Sequence, residues 1–394
     1  MIYLDNAGTT KTSHEVVNAM IPFFEEEYGN ASSLHSMGQR AKEHLDAARK
    51  IVAECINADA GEIYFTSGGS ESDNQAIISA SILGERKGKK HIISSQFEHH
   101  AVLHTLEKLE KRGFSVTYLP VYENGIVKIE DLKNAIREDT CLVTIMFANN
   151  EIGTIQPIKE IGQICHEKGI IFHTDAVQAV GHVPVDVKEM NIDMLSISGH
   201  KFHGPKGVGA LYCKKTVLLN KFIEGGAQKK NKRAGTENVA GIVGMATALK
   251  NACDHMDENA QKEIKLRDKL ITKLSQIQHS SLNGDWKNRL PNNFNMCFEG
   301  IEGESLLLLL DDEGICASSG SACTSGSLAP SHVLLAIGRP HEVAHGSLRL
   351  TLSEYNTEEE IDKVIKVVPP IVELLRKMSP VWDELEKGER KHVI

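Results

Sequence analysis

Short apolar, β-rich runs recur along the first half of the chain, at 63–65, 91–93, 116–119, 142–146, 170–172, 194–197 and 208–212. Helix-like stretches separate most of them. In 158–168 the apolar Ile161, Ile164 and Cys165 follow helical spacing, and Gly169 closes the stretch before the next run. Such alternation predicts βαβ units and a mostly parallel sheet covered on both faces, an α/β fold. Past residue 255 the pattern changes to a charged helix over 258–277, a Pro/Asn-rich turn at 288–293 and a strand-like run at 294–298. That part reads as a smaller α+β domain. Its last helix is announced by Thr357-Glu358-Glu359-Glu360, a capping box.

Composition narrows the class. At 394 residues the chain is long enough for two domains, and 41% hydrophobic with 25% charged residues is ordinary for a globular protein. A net charge of −9 argues against direct nucleic-acid binding, despite the local basic run Lys229, Lys230, Lys232, Arg233. The uniform apolar run 306–310 is far short of the about 20 residues that span a membrane, and no leader-like pattern opens the chain. No membrane association and a cytoplasmic location are therefore expected. Eight cysteines sit apart without a Cys-x-x-Cys pair, as reduced thiols do.

Candidate chemistry gathers where runs end, because open sheets bind ligands at the carboxyl ends of their strands. The run ending at Ile197 is followed by Ser198-Gly199-His200-Lys201, and lysine forms Schiff bases with carbonyl cofactors. Ser198 and His200 are able to donate to an anion such as a phosphate. The run ending at Phe172 is followed by His173-Thr174-Asp175-Ala176-Val177-Gln178. An aspartate there serves either as an ordinary helix cap or as the carboxylate that keeps a pyridine nitrogen protonated, with Gln178 near the ring hydroxyl. Gly68-Gly69-Ser70, a Gly-rich turn opening a helix at 73–83, presents amides to a phosphate. His99 and Asn150 also follow runs. Each alone is commonly structural; together they form the requirements of a pyridoxal 5′-phosphate (PLP) site. His99, His100, His200 and His203 lack an accompanying metal-ligand set, so no metal is expected.

The motifs Tyr3-Leu4-Asp5-Asn6-Ala7-Gly8-Thr9-Thr10, Tyr28-Gly29-Asn30-Ala31-Ser32-Ser33, Asn149-Asn150-Glu151-Ile152-Gly153, Ser198-Gly199-His200-Lys201, Arg233-Ala234-Gly235-Thr236 and Ser318-Ser319-Gly320-Ser321-Ala322-Cys323-Thr324-Ser325 occur in one order along the chain. In this combination the chain resembles the NifS/IscS-type (group I) cysteine desulfurases. The resemblance implies a fold-type-I PLP-dependent transferase with a seven-stranded sheet. A large domain would span 14–255, and a small one 1–13 with 256–394, carrying a cysteine loop at about 318–330. It implies a homodimer that converts L-cysteine to L-alanine and passes sulfur to an acceptor, such as an iron–sulfur scaffold or a thiolation enzyme. By the same resemblance Lys201 is the cofactor lysine, Asp175 meets the pyridine nitrogen, Gln178 the ring oxygen, and His99 stacks on the ring. Gly69, Ser70, Ser198 and His200 would hold the phosphate, joined by Thr236 of the second subunit. Asn150 and Arg349 would meet the substrate, and Cys323 would receive the sulfur as a persulfide. The small, polar neighbours of Cys323 also differ from the apolar surroundings of Cys141 and Cys165.

The chain departs from the pattern at Gly8, where relatives usually carry Ala, at Ala31 for Pro, at Ser70 for Thr, and more widely over 224–233. Two other readings stay open on the residues: a fold-type-I lyase or aminotransferase using the same lysine without a nucleophilic thiol, and a sulfur-carrier scaffold with no need for Lys201, Asp175 and Arg349 together.

Overall fold

The computed structural model describes residues 1–226, 232–319 and 330–394. Cys323, Lys229 and Lys230 lie outside the described residues.

All seven apolar runs form strands of one sheet. They are β2 (Ile63–Thr66), β3 (His91–Ser95), β4 (Ser115–Leu119), β5 (Thr140–Thr144), β6 (Ile171–Asp175), β7 (Met194–Ser198) and β8 (Gly209–Cys213), with β1 (Ile2–Tyr3) elsewhere. Their order is β2-β8-β7-β6-β5-β3-β4, and β8 alone runs against its neighbours. Every position of β3, β5, β7 and β8 is buried, so the apolar runs are continuous rather than alternating. Successive residues still part to opposite faces. Ile93, Val143, Leu195 and Tyr212 join one core, while Ile92, Leu142, Met194 and Leu211 join another under the helices Gly69–Arg86 and His100–Glu110. Pairing of β5 starts at Thr140 rather than at Leu142, because the register slips by one residue opposite His91 and Ile92.

The later part of the chain builds a three-stranded antiparallel sheet, β9 (Ser280–Leu282), β10 (Asn293–Phe298) and β12 (Ser347–Thr351), and β11 (Ile315–Cys316) pairs in parallel with β1. Its core joins Ile2 and Leu4 to Leu270, Phe294, Leu350 and Val368. Val333, Leu334, Val343 and Ala344 pack into the large sheet's core instead. The helix Glu358–Lys377 opens on the capping box: Thr357 Oγ1 accepts from the Glu360 amide at 3.3 Å, and Glu360 Oε2 accepts from the Thr357 amide at 3.2 Å.

Candidate active site

β2, β3, β5, β6 and β7 all run in one direction, so Thr66, Ser95, Thr144, Asp175 and Ser198 come out at one edge of the sheet. A cavity of about 400 Å³ sits there. It is lined by Gly69, Ser70, His99, Asn150, Asp175, Gln178, Ser198, His200, Lys201 and Arg349, residues drawn from six separate segments. A second hollow of about 390 Å³ shares Gly69, Ser70, Ser198 and His200 with it. Gly68 is the N-cap of the helix Gly69–Arg86 and supplies no side-chain cap. The start of that helix thus offers amides and a positive dipole beside Ser70 and Ser198, chemistry suited to a phosphate. Gly69 is needed for shape as well: a Cβ there would stand 2.6 Å from Val177 Cγ2.

Lys201 is held by the N-terminal segment. Its Nζ donates to Ala7 O at 2.5 Å and to Gly8 O at 2.7 Å, and Gln178 Nε2 donates to the same Ala7 O at 3.1 Å. Thr10 ties that segment to the lysine turn, with its amide and Oγ1 donating to His200 O at 3.0 and 2.9 Å. On the other side the Ala7 amide donates to Thr351 Oγ1 at 2.8 Å. His200, beside Thr9 Oγ1 at 3.1 Å, is driven to about 4 by burial and by Lys201 and Lys206, so its imidazole is neutral.

The cavity floor is acidic. Asp175 accepts from the Val177 amide at 3.0 Å, so it does make the turn contact that a helix-capping aspartate makes. Burial raises its carboxyl, and His99, that amide and Lys201 pull it back down. His99 Nδ1 accepts from the Ala101 amide at 3.1 Å, which assigns the proton of the neutral ring to Nε2. Burial, with Lys201 and His104, holds that imidazole below its ordinary value against the pull of Asp175. Just behind, Glu98 is fully buried, accepts from Ser95 Oγ and from the Met146 amide at 3.0 Å, and is pushed up to about 8 by burial.

Arg349, on β12, closes the far side. Its Nη1 donates to Asn150 O at 3.1 Å and its Nη2 to Asp5 Oδ1 at 2.9 Å, while Nε is buried with no partner among the described residues. Arg349 also anchors Ser318: the Ser318 amide donates to Arg349 O at 3.2 Å, and the Arg349 amide to Ser318 O at 2.7 Å. Ser331 Oγ donates to Glu151 Oε2, and His332 Nε2 donates to Glu98 O at 3.0 Å. Ser318 is thus fastened to a cavity residue, and Ser331 and His332 to the residues beside Asn150 and His99 in the chain.

Thr236 is exposed and does not line the cavity of its own chain. The segment before it is moored to the phosphate-suited turn by Arg233, whose Nε donates to Glu71 Oε1 at 2.9 Å. Burial raises the Glu71 carboxyl, but the Arg233 and Ser67 hydrogen bonds outweigh it and hold the group below its usual range. The histidines singled out together in the sequence go to different places: His100 stacks with His104, His203 pairs with Glu354 at 3.0 Å, and His99 and His200 line the cavity. Asp5, Ala7, Asp73 and Met146, also on its wall, carried no role in the sequence reading. A signal existed for three of them. Asp5 and Ala7 fall in the motif at 3–10, and Asp73 follows Gly69 by four residues, one helical turn on the same face.

The model of the class-V aminotransferase family matches residues 2–364. A cysteine desulfurase IscS from Clostridium botulinum is 56% identical over 393 residues, covering 99% of both chains. A solved NifS-like protein superimposes with a TM-score of 0.89 at 40% identity, covering 95% of this chain and 100% of that one. The structure of SspA in complex with cysteine gives 0.80 at 36% identity, covering 91% and 100%. With this extent of match laid over the cavity of Lys201, Asp175 and Arg349, the chain belongs to the class-V aminotransferase family and, within it, to the cysteine desulfurases.

Proposed function

We propose that the enzyme takes L-cysteine into the cavity of Lys201, releases L-alanine and leaves the sulfur on Cys323. The observation that carries this reading is the convergence, in one cavity, of a lysine, a buried aspartate, an uncapped helix start and a buried arginine. That donor set fits PLP: Ser70, Ser198, His200 and the amides at the helix start would hold the phosphate, Asp175 would meet the ring nitrogen, Gln178 the ring oxygen, His99 the ring face, and Lys201 the carbonyl carbon. When bound, PLP supplies an electron sink for the substrate's α-carbon.

The chain's own residues do the rest. Arg349 binds the substrate carboxylate through its guanidinium fork, and Asn150 sits next to it. Lys201 takes the α-proton at Nζ and returns a proton as alanine forms. The thiolate of Cys323 attacks the substrate sulfur; the bond from that sulfur to the substrate's β-carbon breaks, a sulfur–sulfur bond to Cys323 Sγ forms, and a proton ends on the β-carbon. His99 handles the proton released from the substrate thiol. Fastening Ser318 to Arg349 and Ser331 to Glu151 keeps both flanks of the cysteine segment beside the cavity. We further infer a homodimer in which Thr236 reaches the phosphate of the other subunit, a cytoplasmic setting, and delivery of the sulfur to an iron–sulfur scaffold or another thiolation acceptor. The deciding test is sulfide release from L-cysteine with a reductant: Cys323→Ala abolishes it in this reading, whereas retained release supports a lyase that needs no thiol.

A further inference from the structure

Beside Asp175 lies a second carboxyl that the reading above leaves unused. Asp73, one turn into the helix Gly69–Arg86, is 1% exposed and lines the same cavity. Donor atoms of Asp73, His99 and Asp175 all lie within 4.8 Å of one another. Asp73 Oδ1 is buried with no hydrogen-bond partner among the described residues.

The groups facing Asp73 come from three directions: His173 and Asp175 on β6, Ser196 on β7, and Glu98 and His99 after β3. None is a lysine or arginine. Of these, His99 and His173 are able to carry a positive charge; burial holds His99 below its ordinary value and drives His173, with Nε2 3.6 Å from Asp73 Oδ1, down to about 3. His173 is therefore neutral, one ring nitrogen meeting Thr144 Oγ1 at 2.8 Å and the other Ser196 Oγ at 3.1 Å. Two buried carboxylates this close, without a cation between them, do not both stay ionised. Asp175 has Lys201, His99 and the Val177 amide to favour its anion. Asp73 has only the Ser196 hydroxyl, against burial and the neighbouring carboxyls of Asp175 and Glu98.

We propose that Asp73 is a positioning residue, held neutral and donating towards Ser196, so that Asp175 is the one anionic carboxylate offered to the cofactor's ring nitrogen. The directions then close on themselves: Asp73 donates to Ser196, Ser196 to His173 Nε2, and His173 Nδ1 to Thr144. This inference rests on the cofactor reading given above.

It is tested on the cofactor-loaded protein with its aspartate carboxyls isotopically labelled. Infrared spectroscopy above neutral pH is expected to show a protonated aspartate carboxyl, and its absence overturns the inference. In variants, Asp73→Ala is expected to raise the cofactor dissociation constant about 10-fold, since the network loses its donor, and Asp73→Asn to restore it to within about 2-fold. The pH midpoint of the lysine-linked cofactor's absorbance should be the same in Asp73→Asn as in the parent. A fall of about one pH unit in Asp73→Asn is the mark of a lost negative charge and overturns the inference. Should Asp73→Ala not fold, the infrared band decides. Failure of the parent protein to link cofactor at Lys201 brings down both readings; normal linkage without the band brings down this one alone.

Discussion

Arg349 Nη2 donates to Asp5 Oδ1 at 2.9 Å, across a separation of 344 residues in the chain. The pair occupies half of the guanidinium edge that a substrate carboxylate needs, and the other half, Nε, is buried without a partner among the described residues. Asp5 therefore competes with the substrate for Arg349. Arg349→Lys, which lacks the fork, is expected to raise KM for L-cysteine by about 10- to 100-fold, with the cofactor absorbance intact. Asp5→Asn removes the competing charge and is expected to lower KM by about 2- to 5-fold, the scale of a partly exposed ion pair. Steady-state kinetics on the two variants checks both directions.

Gly8 belongs to the same arrangement. A Cβ on Gly8 would stand 2.7 Å from Asp5 Oδ2, the end of a side chain that is free to turn aside. Gly8→Ala is thus expected to push Asp5 off Arg349 and to lower KM in the same sense as Asp5→Asn. If the combined variant lowers KM no further than either alone, the two act through one contact.

Glu98 sets a pH dependence of stability. Its carboxyl is raised from 4.5 to about 8 by burial, so between those values the unfolded chain has lost a proton that the folded protein keeps. The unfolded state then binds fewer protons, and stability falls as pH rises through this window, by up to about 1.4 kcal/mol per pH unit for one group. Glu151, raised to about 7 by burial, acts in the same direction over a shorter range. His173 acts oppositely and at lower pH: lowered from 6.5 to about 3, it loses stability as pH falls below 6.5. Chemical denaturation at several pH values should show a shallower decline between pH 4.5 and about 8 in Glu98→Gln than in the parent.

Much of this was legible along the chain, because long apolar runs fix strands and a polar residue at the end of such a run is placed at the sheet edge. Lys201, Asp175 and Ser198 are of that kind. What stayed hidden works through backbone or through distance. The carbonyls of Ala7 and Gly8 that hold Lys201 carry no side-chain signature, and Asp5 meets Arg349 only because β1 pairs with β11 while Thr351 receives the segment that follows. Asp73 reads as one more polar position on a helix until the fold sets it beside Asp175.

The placement of Thr236 across the dimer is tested by mixing subunits. Lys201→Ala and Thr236→Ala proteins each should retain cofactor poorly. Dissociated and reassembled together, they should regain one competent site per mixed dimer, formed by the lysine of one chain and the threonine of the other. No recovery in the mixed dimer is expected if Thr236 serves its own chain.

Mass spectrometry of the protein after treatment with L-cysteine is the most direct test of the whole account. One added sulfur on the peptide that contains Cys323, present in the parent and absent in Lys201→Ala, is the predicted result. Alanine formation with no sulfur on Cys323, or with the sulfur on another cysteine, would contradict it.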